Sequence, residues 1–186
     1  MSSRKFQHHG AIGSAERGFS LVELLIVVAI ILVICAIALP NFIRARIAAN
    51  EGAAATNLRA ITTASVVYSS QYNNGYPPTL ATLGPPSGGS TVATCNTADL
   101  IDEVVAAGSK SGYNYAFNPQ GTAIIPAAQG CAAAGYNDYF ITATPRIENI
   151  TGIRSFCASS DGVIHFDPSG ATAGSEAACA LLNSIQ

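Results

Sequence analysis

GFSLVELLIVVAIILVICAIALPNF, residues 18–42, decides how the rest of the chain is read. Glu23 is its only charged side chain. Residues 19–39 form a run of 21, which as a helix spans about 30 Å, the thickness of a bilayer's hydrocarbon core. The run is apolar on every side, as a lipid-exposed helix requires. One carboxylate near its start costs on the order of 2–3 kcal/mol in lipid and calls for a function and a partner.

Outward from this run the charges are asymmetric. Arg4, Lys5 and Arg17 precede it against Glu16, whereas six Lys/Arg face nine Asp/Glu from Asn41 onward. A basic flank keeps its own side cytoplasmic and sends the remainder across the membrane. The mildly acidic distal part argues against a nucleic-acid partner, whose backbone demands clustered cations. Only 11% of all residues are charged, well under the roughly 25% of an ordinary soluble protein.

A signal peptide cut after Ala36-Ile37-Ala38, a lipoprotein signal ending at Cys35 and a plain membrane anchor are competing readings. None explains Glu23. The string Gly18-Phe19-Ser20-Leu21-Val22-Glu23 before an unbroken apolar helix resembles the processing site of type IV prepilins and type II secretion pseudopilins. That resemblance implies an α+β, type IV pilin-like fold: one long N-terminal helix packed against a small antiparallel sheet. It also implies that a prepilin peptidase/methyltransferase removes residues 1–18, cutting between Gly18 and Phe19 and methylating Phe19. The helix of residues 19–40 would then persist, first in the membrane and later in a filament core. Cleavage creates an ammonium on Phe19, and pairing it with Glu23 of a neighbouring subunit offsets the desolvation of both charges. Protonation of Glu23, or snorkelling to the surface, is the alternative.

Two features depart from the family's pattern. The leader is longer than in many members, and the glycine often found midway along the apolar helix is absent. Pro40 follows the run as in the family; lacking an N–H it weakens one turn, so a kink or melted turn within residues 34–40 stays open. The stretch from Tyr68 to Leu83 also resembles the helix end and following loop of pilins.

Beyond Pro40 the helix is expected to continue to Asn73, about 80 Å in all. Residues 41–74 form an amphipathic half with Ile43, Ile47, Asn50, Ala54, Leu58, Ile61, Ser65, Tyr68 and Tyr72 on one face. Arg44, Arg46, Glu51 and Arg59 are assigned off that stripe. Asn73-Asn74-Gly75-Tyr76-Pro77-Pro78 supplies a left-handed cap and then prolines. Residues 75–186 read as an extracytoplasmic head. It should hold a loop at residues 85–90, a short helix over 97–105 ended by Gly108, and three or four antiparallel strands near 113–117, 139–144, 154–158 and 163–166. The last two flank a turn at Ser159-Ser160-Asp161-Gly162.

Cys95, Cys131, Cys157 and Cys179 fall in the exported part, where disulfides form. Four cysteines allow three pairings. Cys95–Cys131 with Cys157–Cys179 closes loops of modest length and is expected, with buried free thiols as the alternative. No metal or cofactor site and no catalytic grouping is legible. His165 reads as a strand histidine, and Asp161 and Asp167 read as turn formers rather than calcium ligands.

The expected function is therefore structural, not enzymatic: a type IV pilus-like filament subunit. It would pair with its own copies and minor pilins and use an inner-membrane assembly platform. It would begin as a single-pass bacterial inner-membrane precursor with a cytoplasmic N-terminus and end in a cell-surface pilus. A pseudopilin in a periplasmic pseudopilus is the near alternative. A secreted binding protein or hydrolase with a cleaved signal peptide is the alternative of another class.

Overall fold

The computed structural model describes residues 18–86, 88, 92–124, 128 and 130–185. Leader residues 1–17, and residues 87, 89 and 90 of the expected loop, lie outside that set. The chain divides into two compact units, Met1–Pro40 and Asn41–Gln186. Helix α1, Leu21–Tyr72, supplies residues to both.

In the first unit α1 starts where Ser20 O accepts from Leu24 N at 3.1 Å. Ser20 and Glu23 stand at the S-x-x-E spacing of a capping box, and Glu23 occupies the first turn, where the positive end of the helix dipole favours a carboxylate. Every side chain from Phe19 to Leu39 is exposed. The helix runs through Pro40 without interruption, so the melted turn left open by the sequence is absent. No residue of 19–39 is a glycine, so none brings the backbone freedom that would loosen the turn before the proline.

In the second unit, Ile47, Ala54, Leu58, Ile61, Ser65 and Tyr68 of α1 are buried. Ile43, expected on this face, is 52% exposed; it continues the helical stripe, but burial of the stripe begins only at Ile47. Asn73 closes the helix in the left-handed region at φ 50°, its amide donating to Ser69 O at 3.1 Å.

A 3-10 turn, Leu80–Leu83, follows. The helix expected over 97–105 is shortened to α2, Glu103–Ala106. Asp102 caps it, accepting from Val105 N at 3.0 Å. Ahead of it Asp99 takes a positive φ of 54°, and the amides of Leu100 and Ile101 both bond Leu83 O. Burial of Ala98 and Ile101 against the core outweighs local helix preference there.

The sheet is an antiparallel meander of six strands in chain order: β1 Ser109–Lys110, β2 Tyr113–Ala123, β3 Tyr136–Pro145, β4 Ser155–Ser159, β5 Ile164–Asp167 and β6 Asn183–Ser184. The strands β1 and β6 lie outside the three or four expected, because they have two residues each and carry no alternation to read. Pairs such as Phe117 with Ile141 and Ile141 with Ala158 fix the register. Buried Leu58, Ile61 and Tyr68 of α1 share one core with Tyr113, Tyr139, Ile141, Phe156 and Ile164 of the sheet.

All five residues of β4 are buried. Side chains alternate along a strand, so Phe156 and Ala158 join that core while Cys157 faces the other way. There it is bonded to Cys179 of α3, Glu176–Ala180. His165, paired with Cys157 in the register, bonds Leu182 O through Nδ1 at 2.9 Å. The second disulfide, Cys95–Cys131, ties the segment after the 3-10 turn to the β2–β3 connection.

Candidate assembly site

Gly18 and Phe19 precede the helix and are exposed, Phe19 with 74% of its surface free. Glu23 follows four residues later within the first turn. An ammonium created on Phe19 would sit at the positive end of the helix dipole, where a cation is disfavoured. A carboxylate at position 23 would then have an electrostatic task even before another subunit is considered. Pro40 marks the boundary between the two units. Cys35 is a free thiol, exposed on the apolar segment.

In the second unit the sequence reading missed Glu51. Assigned to the solvated side, it is only 5% exposed. Its Oε1 accepts from the amides of Ile153 at 3.0 Å and Arg154 at 3.1 Å. Its Oε2 receives Arg154 Nε at 2.8 Å and the guanidinium NH2 group at 2.7 Å. Burial pushes the Glu51 pKa up; the two amides and the guanidinium outweigh it and hold the carboxyl below its usual range. The guanidinium also lies over the rings of Phe156 at 5.8 Å and Phe166 at 5.4 Å. One helix carboxylate thus fixes the β3–β4 loop to α1. Beside it Asn50 Nδ2 donates to Thr151 O at 2.8 Å, and Tyr113 OH donates to Arg154 O at 2.7 Å. Gly152 is required by closeness, since a Cβ there would meet Tyr113 OH at 2.1 Å.

At the other end of the helix Asn74 is fully buried. It donates to Ala133 O at 3.1 Å and accepts from Ala128 N at 2.9 Å, so the β2–β3 connection is fastened where α1 stops. Burial pushes the Tyr139 pKa up to about 12, as expected of a phenol inside the core.

The aspartates considered for calcium are engaged in turns. Asp161 accepts from Ser159 Oγ and Val163 N at 2.9 Å each, and Asp167 accepts from Ser169 N at 2.8 Å and Ser169 Oγ at 2.7 Å. Among the described residues no three His, Cys, Asp or Glu side chains gather as metal ligands. Among them, too, α1 is the one helix long and apolar enough to cross a membrane.

Against known proteins, the chain is similar to the type IV major pilin protein PilA of Myxococcus xanthus (strain DK1622), with 49% identity over 56 residues. That match covers 30% of this chain and 26% of the relative, so the chain spans about a quarter of that protein's length. No solved structure matches. Residues 13–39, which contain Gly18, Phe19, Glu23 and the whole exposed apolar run, match the family model of the prokaryotic N-terminal methylation motif.

Proposed function

We propose that this chain is a structural subunit of a type IV pilus-like filament, processed between Gly18 and Phe19 and assembled by helix packing. The observation that carries the reading is the match to the methylation motif over residues 13–39 together with a helix whose apolar side chains from Leu21 to Leu39 are all exposed. At roughly 25 cal/mol per Å² of apolar surface removed from water, such a segment is stable only in lipid or among other helices. The precursor spans the inner membrane with its N-terminus in the cytoplasm. A prepilin peptidase/methyltransferase matures it, an assembly platform extracts it, and copies of the chain with minor pilins bury the helix. Glu23 sets the axial register by pairing with the Phe19 ammonium of a neighbour. The subunit catalyses nothing. Similarity to a major pilin and a head closed by two disulfides favour a surface pilus over a periplasmic pseudopilus.

Replacing Glu23 tests the reading. Glu23→Ala should leave processing at Gly18 intact while cells lose surface fibres containing this subunit. Normal fibres from the variant would remove the charge pair from the account.

A further inference from the structure

The β3–β4 loop of the Asn41–Gln186 unit exposes five residues in a row, Arg146, Ile147, Glu148, Asn149 and Ile150. Ile147 is 51% exposed and Ile150 57%. Neither isoleucine side chain holds the loop in shape. Thr151 N donates to Ile147 O at 2.9 Å and Ile147 N donates to Thr151 Oγ1 at 3.0 Å. Asn50 and Glu51 fasten Thr151, Ile153 and Arg154 to α1. The loop is therefore fixed by polar bonds, and it presents Ile147 between a cation, Arg146, and an anion, Glu148.

Further along α1 the same unit carries a groove of about 430 Å³. Arg59, Thr62, Thr63, Val66 and Val67 line it from the helix, at the spacing of one helical face, and Gly162 of the β4–β5 turn lines it from the sheet. Val66 is 49% exposed, Val67 38%, and Val163, which follows Gly162, 40%. Asp161, which precedes Gly162, is exposed and uses Oδ1 alone in its own turn. The groove is thus an apolar wall flanked by a cation, Arg59, and an anion, Asp161. Among the described residues the ion pairs are Arg154–Glu51 and Lys110–Asp102. No described side chain of opposite charge pairs with Arg59, Asp161, Arg146 or Glu148.

We propose that in the filament the β3–β4 loop of one copy docks in the groove between α1 and the β4–β5 turn of a second copy. Ile147 and Ile150 cover Val66 and Val67, Glu148 meets Arg59, and Arg146 meets Asp161. The proposal rests on the filament reading given above and adds a contact between heads to the packing of the apolar helices. Charge identifies the occupant. Each sign on the loop finds its opposite on the groove, and the reversed docking, Arg146 on Arg59, sets like charges together, so one orientation is selected. About 20 Å of helix separates Asn50, where the loop is anchored, from Thr63 in the groove. The loop therefore meets the groove of another copy rather than its own. A contact between two different patches is heterologous and repeats from copy to copy, giving an open filament wherever the rotation does not close a ring. Because the loop is already fixed, docking it costs little conformational freedom.

The test uses the full chain in cells, with surface fibres sheared off and quantified against the subunit left in the membrane. Arg59→Glu and Glu148→Arg should each lower the fibre yield about tenfold or more, by setting like charges together. Combined in one chain they should recover most of the yield, since the pair is restored with its signs exchanged; a loss caused by misfolding would not be recovered. Ile150→Cys with Val66→Cys, on a Cys35→Ala background, reads the contact directly. Oxidised fibres of that variant should give a ladder of linked copies, and neither new cysteine alone should. Normal yield from both charge variants, no recovery on the swap, or no ladder from intact fibres would overturn the docking while the filament reading stands. If the parent chain itself forms no fibres, the filament reading falls and the docking with it. Links through Ile150→Cys alone would make the contact isologous, and a link to a chain of another mass would give the groove to a different protein. Either result overturns the proposal.

Discussion

Glu51 and Arg154, 103 residues apart, are joined by two contacts through Glu51 Oε2, at 2.8 Å from Nε and 2.7 Å from NH2, with Oε1 on the backbone of the same loop. The carboxylate is buried, while the guanidinium retains 43% of its side-chain exposure. Losing the acid therefore costs more than losing the base, because the acid leaves two loop amides without an acceptor. Glu51→Ala should destabilise the head by about 2–3 kcal/mol and Arg154→Ala by about 1–2 kcal/mol. Thermal unfolding of the detergent-solubilised full chain followed by circular dichroism measures both. Equal, negligible shifts would contradict the clamp.

The same pair sets an acid limit. The Glu51 pKa is depressed in the folded state, so its contribution is fully present above the unfolded value of about 4.3 and fades as pH falls through the lower folded value. Asp102 and Asp167 are shifted the same way, but both are exposed and screened. Stability measured from pH 6 downward should fall below about pH 4.3 in the parent chain. It should fall less steeply in Glu51→Gln, whose side chain cannot titrate. Identical acid profiles would assign the limit to other carboxylates.

Gly152 lies where Tyr113 passes. Gly152→Ala must push the phenol off Arg154 O or move the loop, with an expected loss of about 2 kcal/mol or more. Tyr113→Phe keeps the ring and removes one hydrogen bond, a loss of about 1 kcal/mol. The double variant, Gly152→Ala with Tyr113→Phe, should regain a small part of the glycine loss, since the nearest clashing atom is gone while the ring carbons Cζ at 2.6 Å and Cε2 at 2.8 Å remain. Additive losses in the denaturation midpoints would place the strain elsewhere.

The two disulfides close separations of 36 and 22 residues. In the chain-entropy picture each contributes about 3–4 kcal/mol. Cys157→Ser with Cys179→Ser should free the C-terminal segment from the outer face of β4, raising hydrogen exchange at Ile185, whose amide bonds Ile164 O at 2.8 Å. Cys95→Ser with Cys131→Ser should instead loosen the connections around Asn74. Exchange that rises uniformly across the head in both variants would contradict this local division.

Much of this was legible in the sequence because it has a period or a stop signal. The apolar run, the cap at Asn73 and the alternation of residues 113–116 each state a local preference that the fold keeps. Glu51 was misread for its chemistry, not its position. It falls four residues after Ile47 and three before Ala54, on the buried stripe, and a carboxylate at that spacing is itself the signal for a buried partner. The partner, Arg154, belongs to a loop whose approach depends on sheet register, which no local pattern encodes. Strands β1 and β6 are too short to show alternation. The segment near Asp99 gave up its helical preference to bury Ala98 and Ile101, a choice made by tertiary packing.

The account turns on whether the apolar helix survives export and ends up among its own copies. Fibres sheared from the cell surface, dissociated and examined by intact-mass and N-terminal sequencing, test this directly. The expected result is a subunit beginning at N-methyl-Phe19 with residues 19–39 retained. A subunit starting at Leu39, or abundant exported protein with none of it in fibres, would contradict the account.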